Sequence, residues 1–145
     1  MAVSNLENLV RVHEWILDEK RQRLLGLQQL LERMTGDLEV LEEKIAAEKE
    51  AAKRTIDGAL AFQTLIPAAE ERRDKLRHSL ANLGREIEAA QDEVGEAFQE
   101  LRKFVTAQET QQRQENERRR RRDQVPLDEM GIGLYRRNRA VGDGN

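Results

Sequence analysis

The residue types that most often carry out chemistry are few in this chain, and they lie far apart. The sequence contains two histidines, His13 and His78, one in each half, and it contains no cysteine. Carboxylates are numerous but spread along the chain, and no glycine-rich phosphate loop follows a strand pattern. Nothing indicates a concave fold from which water could be excluded. We therefore expect no enzymatic activity, no catalytic residues, no bound metal and no cofactor.

A run of five arginines near the C-terminal end is the densest cluster of like charge. Residues 113–139 contain nine arginines and five acids, a net charge of +4, whereas residues 1–112 contain sixteen basic and twenty-two acidic residues, a net charge of −6. Three interpretations stay open: a solvated helix end, a contact with an acidic protein, and a contact with nucleic acid or a membrane surface. Base recognition needs stacking aromatics or a pattern of amide and arginine side chains, which this segment lacks. The run consists of Arg118, Arg119, Arg120, Arg121 and Arg122.

The opening segment NLENLVRVHEWILDEK, residues 5–20, carries more apolar residues than one narrow helical stripe can hold. Trp15 is the only tryptophan, and it lies about half a helical turn away from the stripe that contains Leu17. Because tryptophan is enriched at binding hot spots, we interpret Trp15 as an interface anchor rather than as a partly covered surface residue. The predicted interface consists of Leu6, Leu9, Val10, Val12, Trp15 and Ile16.

Two heptad seams must position these groups. Charged residues make up 37% of the chain and aromatic residues only 3%, which suits long helices with a thin apolar seam rather than a thick core. Apolar residues recur at alternating steps of four and three in each half, which predicts a coiled coil. His13 and Lys20 are polar residues at seam positions. A polar residue at such a position usually determines the register of a coiled coil. The first seam runs through Leu6, Val10, His13, Leu17, Lys20, Leu24, Leu27, Leu31, Met34, Leu38, Leu41 and Ile45, and the second through Leu76, Leu80, Leu83, Ile87, Ala90, Val94, Ala97, Leu101 and Phe104.

The segment between the seams predicts a hairpin. Asp57-Gly58 is a turn signal, and Pro67 suits the first turn of a helix, so we expect helices over about 4–60 and 67–120 with the connection at about 58–67. The predicted fold is all-α: a long antiparallel two-helix coiled-coil hairpin over residues 1–122, followed by a flexible, mostly disordered basic tail over 123–145. A short helix near 127–137 is the only element expected in that tail.

A fold at residue 62 would bring position i opposite about 124 − i. Leu41 would then face Leu83, and Leu24 would face Leu101, so the seams match in the middle of the hairpin. The first four turns would instead face Gln108, Gln111 and the region of residues 116–118. This register leaves the N-terminal apolar residues without apolar cover from their own chain.

The turn region carries its own apolar group, Phe62, Ile66 and Ala69, with Leu65 beside them. These side chains either close the end of the seam or form a second contact site, and spacing alone favours neither. No apolar run approaches bilayer-spanning length, and charged residues interrupt the N-terminal segment where a signal peptide would be apolar. We expect a soluble cytoplasmic protein, monomeric in isolation because its two seams satisfy each other.

Four features together resemble the flagellar export stalk and chaperone proteins of the FliJ type and their injectisome counterparts. They are the opening NLENLVRVHEWILDEKRQRLL, the length of about 145 residues in two equal heptad helices, the aromatic-aliphatic-small spacing of Phe62, Ile66 and Ala69, and an arginine-rich helix end followed by LDEMGIGLYRRNR (127–139). Together they cover nearly the whole chain. One departure is Pro67 directly after Ile66, where the family has no proline.

The resemblance implies a non-enzymatic coiled coil similar to the shaft of rotary ATPases. It implies that the end bearing both termini engages a hexameric flagellar export ATPase and its regulator. It also implies that the turn region reaches the cytoplasmic part of the export gate, and that the protein handles export chaperones. On this basis the N-terminal apolar residues are expected to face the ATPase, Phe62, Ile66 and Ala69 the gate, and the five arginines an acidic surface of the ATPase. Membrane association would be peripheral, through these partners, and no nucleic-acid partner is expected.

A generic self-associating scaffold is the alternative function. In that case the N-terminal apolar residues would pair with a second copy of the chain. A basic-tailed nucleic-acid-binding protein is a third possibility with less support. Genes for a flagellar export ATPase and its regulator next to this one would favour the export function over the scaffold.

Overall fold

The computed structural model describes residues 2–142, and these residues form two α-helices and no strand. Helix α1 is Ala2–Ala52, and helix α2 is Ile56–Gly142. Both helices consist largely of leucine, glutamate, glutamine, lysine and arginine, which are strong helix formers. The predicted all-α fold is confirmed. By its internal contacts the chain divides into two units, one formed by Met1–Val12 and Leu101–Asn145 and the other by His13–Glu100.

In the unit His13–Glu100, α1 and α2 run antiparallel. Two groups of ion pairs link them: Lys20 Nζ and Arg23 Nη1 lie 3.3 and 3.6 Å from Glu93 Oε2, and Arg77 Nη2 lies 2.7 Å from Glu42 Oε1. As the α1 residue number rises from 20 to 42, the α2 partner number falls from 93 to 77. These side chains are 37–60% exposed, so each pair contributes only about 0.2–1 kcal/mol.

The core of this unit is a thin seam. Its five buried residues all occupy positions of the predicted heptads, and the remaining seam positions are half-buried. No side chain within the described residues is completely buried. Stability therefore comes from many partly buried side chains, each contributing less than the roughly 1.5–3 kcal/mol of full burial. The buried residues are Leu17, Leu83, Ile87, Ala90 and Ala97.

The register of the hairpin differs from the predicted one. In the predicted register, the residue numbers of two facing positions add up to 124. The observed ion-pair partners instead give 113 for Lys20 and Glu93, and 119 for Glu42 and Arg77. Leu41 accordingly lines the same groove as Leu76 rather than facing Leu83. The prediction failed because a heptad pattern defines which face is apolar but repeats along the helix, so the turn decides the register.

The turn lies at residues 53–55, earlier than the predicted connection at 58–67. Two tight backbone bonds end α1: Lys53 N–H donates to the Glu50 carbonyl at 3.3 Å, and Arg54 N–H donates to the Ala51 carbonyl at 3.2 Å. Thr55 then caps α2, because its Oγ1 accepts a 2.9 Å hydrogen bond from Gly58 N–H. The cap explains why α1 ends at Ala52 and not near residue 60.

Pro67 lies inside α2 and not in its first turn as predicted. Its missing N–H removes one helical hydrogen bond, at a cost of about 3 kcal/mol relative to alanine. Phe62, Ile66 and Ala69 are half-buried in the same turns, and their packing against α1 offsets this cost. The helix is therefore maintained through a residue that would end an isolated one.

Helix α2 also extends beyond its predicted end near residue 120. It continues to Gly142, so the prediction of a mostly disordered tail from residue 123 was wrong. The sequence spaces Glu115 and Arg119, and Glu117 and Arg121, four residues apart, an arrangement that stabilises helices. Pro126 lies inside this continuous helix, as Pro67 does. Residues 143–145 of the predicted tail lie outside the described residues.

Neither helix, over the residues described, contains an apolar stretch long enough to cross a membrane. Among the side chains that the structure describes, which exclude those of residues 2–4, 126–129, 138 and 140–142, there is no cluster of three or more histidine, aspartate or glutamate residues that could hold a metal ion.

Candidate interaction surfaces

The N-terminal part of α1 presents apolar side chains on two faces. In the first unit, Leu6 and Val10 are half-buried, whereas Leu9 is 39% and Val12 is 50% exposed. Phe104 and Val105 of α2 belong to the same unit and are half-buried as well. Both helices of this unit therefore contribute half-buried apolar side chains. The glutamines predicted to lie opposite the stripe through Leu6 and Val10, Gln108 and Gln111, are half-buried in this unit too, and that pairing stays a prediction.

In the second unit, Leu17 is 4% exposed, so the seam is closed at this residue. Ile16 is half-buried, and Trp15 is 62% exposed. Trp15 lines a shallow surface depression formed by α1 alone, together with the charged side chains of Asp18, Glu19 and Arg23. Of the six predicted interface residues, Leu9, Val12 and Trp15 are thus exposed, and Leu6, Val10 and Ile16 are half-buried.

The predicted turn residues Phe62, Ile66 and Ala69 are brought together, but on the face of α2 that packs against α1. They line a groove of about 390 Å³ with Leu41 and Ile45 of α1. All three are half-buried, whereas Leu65, which lines the same groove, is 60% exposed. The three half-buried side chains therefore contribute to seam closure, whereas Leu65 extends the groove lining toward solvent.

Other exposed apolar residues near the turn were missed by the sequence analysis. Ile56 is 81% and Leu60 is 59% exposed, and both lie in the first turns of α2. The available signal was Thr55, a preferred N-cap residue three positions before Gly58. Recognising that cap would have placed both residues at the beginning of a helix next to the turn.

The five arginines Arg118, Arg119, Arg120, Arg121 and Arg122 are all exposed on α2. The seam side of this unit ends at Gln111, which is half-buried, and every side chain from Gln112 to Val125 is exposed. The arginines therefore surround the helix rather than forming a patch on one side. This arrangement provides long-range attraction for an acidic surface without a fixed geometry.

A second group of exposed apolar residues in this part of α2 was not predicted as a site. The residues lie between the arginine run and the basic segment that contains Arg136, Arg137 and Arg139, and they are 53–67% exposed. They were not predicted because this segment was expected to be mostly disordered. They are Val125, Met130, Ile132, Leu134 and Tyr135.

Comparison with known proteins gives one match. A family model described as the flagellar FliJ protein matches residues 1–140. A search of curated proteins and a search of solved structures gave no match. The family match covers both helices, the turn and the arginine run, and it agrees with the resemblance inferred from the opening segment, the turn residues and the C-terminal segment. On this evidence, the chain belongs to the flagellar FliJ protein family.

Proposed function

We propose that this chain is a non-enzymatic component of the flagellar protein export apparatus that engages the hexameric export ATPase. Membership of the flagellar FliJ family supports a role in flagellar export. In this proposal the protein acts in the cytoplasm, associates with the inner-membrane export apparatus only through its partners, and links the ATPase to the export gate and to export chaperones.

The observation that carries the ATPase contact is the exposure of apolar residues on α1. Val12 and Trp15 are 50% and 62% exposed, although both lie next to residues that contribute to the seam. Large exposed apolar side chains are unfavourable in water, and in groups they often mark protein contacts. We assign the exposed Leu9, Val12 and Trp15 and the half-buried Leu6, Val10 and Ile16, all on α1, to the ATPase contact.

The contact with the export gate is assigned to the groove that contains Phe62, Ile66 and Ala69. The exposed side chain of Leu65 extends this apolar surface toward solvent. Pro67 departs from the family pattern, but α2 is continuous through it. Phe62, Ile66 and Ala69 therefore share one helical face. The arginine run contributes electrostatic attraction to an acidic surface of the ATPase or of its regulator.

Stimulation of the ATPase tests this proposal. Val12→Glu places a charge in the proposed contact, whereas Val40→Glu makes the same change at a residue of α1 that is 52% exposed and lies outside it. Both variants should fold, because neither side chain is buried. We expect Val12→Glu and Trp15→Ala to lose stimulation of the export ATPase, and Val40→Glu to retain it.

Normal stimulation by both Val12→Glu and Trp15→Ala would contradict the ATPase contact. Sedimentation of the purified chain separates the alternative function, a self-associating scaffold. If the wild-type chain sediments as a dimer and Val12→Glu as a monomer, a second copy covers the surface, and the scaffold function is correct.

A further inference from the structure

The unit His13–Glu100 has two compatible ways of pairing its helices, and the turn region contains a separate set of signals for each. In the observed register, Lys20 contacts Glu93, so Ala90, about one turn back along α2, lies near Leu24, about one turn forward along α1. Both seams repeat every seven residues. A shift of one heptad therefore again places seam residues opposite seam residues, with Ala97 opposite Leu24.

The observed register depends on few specific contacts. Its three inter-helix ion pairs involve Glu93 and Glu42, and all the side chains in them are more than one third exposed. Its turn depends on the hydrogen bond from Gly58 N–H to Thr55 Oγ1. Exposed ion pairs and a single cap are weak determinants, and the packing of Phe62, Ile66 and Ala69 on α1 is offset by the cost of Pro67 inside α2, so the energy that separates two heptad registers is small.

The shifted register uses the turn signals that the observed one leaves unused. Helix α1 would gain about one turn, through Ile56, and the connection would begin at Asp57-Gly58, a favoured turn dipeptide. Helix α2 would begin near Pro67, which would then occupy a first turn, where its missing N–H costs nothing. In the observed register the same proline lies inside α2 and removes a hydrogen bond.

We propose that the hairpin is a two-register element in which a shift of one heptad between α1 and α2 is coupled to refolding of residues 53–66. In the shifted register, Phe62 leaves the face that packs on α1 and joins the connection. A ligand that binds the refolded turn would thereby change the pairing along the rest of this unit. The proposal requires no partner and is independent of the ATPase contact.

Disulfide trapping tests the two registers, because the natural sequence contains no cysteine. Leu24→Cys with Ala90→Cys reports the observed register, and Leu24→Cys with Ala97→Cys reports the shifted one. Both alanines are buried seam residues, 2% and 8% exposed, so the two variants are closely matched. Leu24→Cys with Leu83→Cys, one heptad in the opposite direction, is the control for general flexibility.

We expect the pair at 24 and 90 to close first and the pair at 24 and 97 to close about ten to a thousand times more slowly, as for a minor state populated at about 0.1–10%. The control pair at 24 and 83 should close more slowly still. Pro67→Ala restores the helical hydrogen bond that the proline removes from the observed register. It should therefore lower the rate of disulfide formation between positions 24 and 97 by about tenfold or more. Gels without reductant, run at low protein concentration, separate intramolecular bonds from dimers.

Two results would overturn the proposal: closure of the pair at 24 and 97 no faster than the control pair, or closure that does not change in Pro67→Ala. A second shifted-register pair, Leu31→Cys with Ala90→Cys, guards against a local effect at residue 97. Helicity measured by circular dichroism before oxidation establishes that each variant is folded. Failure of this test would leave the proposed ATPase contact unaffected.

Discussion

Individual residues on the same helix have separable roles, and exposure distinguishes them. Leu17 and Trp15 are two positions apart on α1, yet one is 4% and the other 62% exposed. A position spacing of two places side chains on different faces of a helix. The buried residue therefore contributes to the stability of the seam, whereas the exposed one is available for a contact with another molecule.

Alanine substitutions at these two positions should separate stability from binding. Leu17→Ala should lower the free energy of unfolding by about 2–5 kcal/mol, because it removes buried methyl groups. Trp15→Ala should change it by less than about 0.5 kcal/mol, as is typical of surface substitutions. Urea denaturation followed by circular dichroism measures both values. An equal loss in the two variants would show that Trp15 belongs to the folded core.

The elements themselves were largely predictable from the sequence, but the connection between them was not. The heptad pattern correctly identified all five buried residues, including Ala90 and Ala97, because helix geometry alone determines which side chains share a face. The turn depended on a competition between the cap at Thr55 and the signals at Asp57-Gly58 and Pro67. These effects differ by only a few kcal/mol, so inspection of the sequence could not decide between them.

The same limit applied to the candidate surfaces. The exposure of Val12 and Trp15 was predictable because excess apolar residues on a helix are visible in a sequence. The exposure of Ile56 and Leu60 was not predictable, because it follows from the position of the turn. An error in a three-residue connection therefore changed the assignment of residues on both helices.

Gly58 is the position in α2 where an added methyl group should destabilise the fold most. A Cβ atom built there would lie 2.8 Å from the Ala51 carbonyl oxygen and 2.8 Å from Thr55 Oγ1, closer than van der Waals contact allows. At Gly84, by contrast, nothing lies within 4 Å of the added atom. Gly84→Ala should raise the free energy of unfolding by about 0.5–1 kcal/mol through helix propensity, whereas Gly58→Ala should lower it.

Thermal and urea denaturation of these two glycine variants provide the comparison. A stabilised Gly58→Ala would mean that the close approach between the end of α1 and the beginning of α2 is absent in solution. A destabilised Gly84→Ala would mean that this face of α2 is covered by another molecule.

At the scale of the whole molecule, charge is distributed unevenly along the chain. The net charge of −3 combines an acidic majority with the basic segment around Arg118–Arg122, whose side chains are all exposed. Exposed charges act over a Debye length of about 8 Å at physiological salt, so they affect encounter more than final affinity. The apolar residues of α1 and the arginines of α2 are therefore expected to affect different kinetic steps.

Replacing Arg118–Arg122 with glutamine should slow association with the export ATPase by about tenfold at low salt and flatten its salt dependence. The dissociation rate should change little. Replacing Arg136, Arg137 and Arg139, which are exposed on the same helix, is the matched control and should have a smaller effect. Stopped-flow or surface-based kinetics at several salt concentrations measure the rates. Unchanged association at low salt would reduce the run to a solvated helix segment, and tight binding of duplex DNA at physiological salt would indicate a nucleic-acid partner.

The most direct test of the ATPase contact observes Trp15 itself. It is the only tryptophan in the chain, so labelling with 5-fluorotryptophan gives a single fluorine resonance from the proposed surface. We predict that adding unlabelled export ATPase shifts or broadens this resonance, that Val12→Glu abolishes the effect, and that raising the concentration of the chain alone does not reproduce it. An unchanged resonance under conditions where sedimentation shows the complex to be formed would contradict the proposal, because Trp15 would then lie outside the ATPase contact.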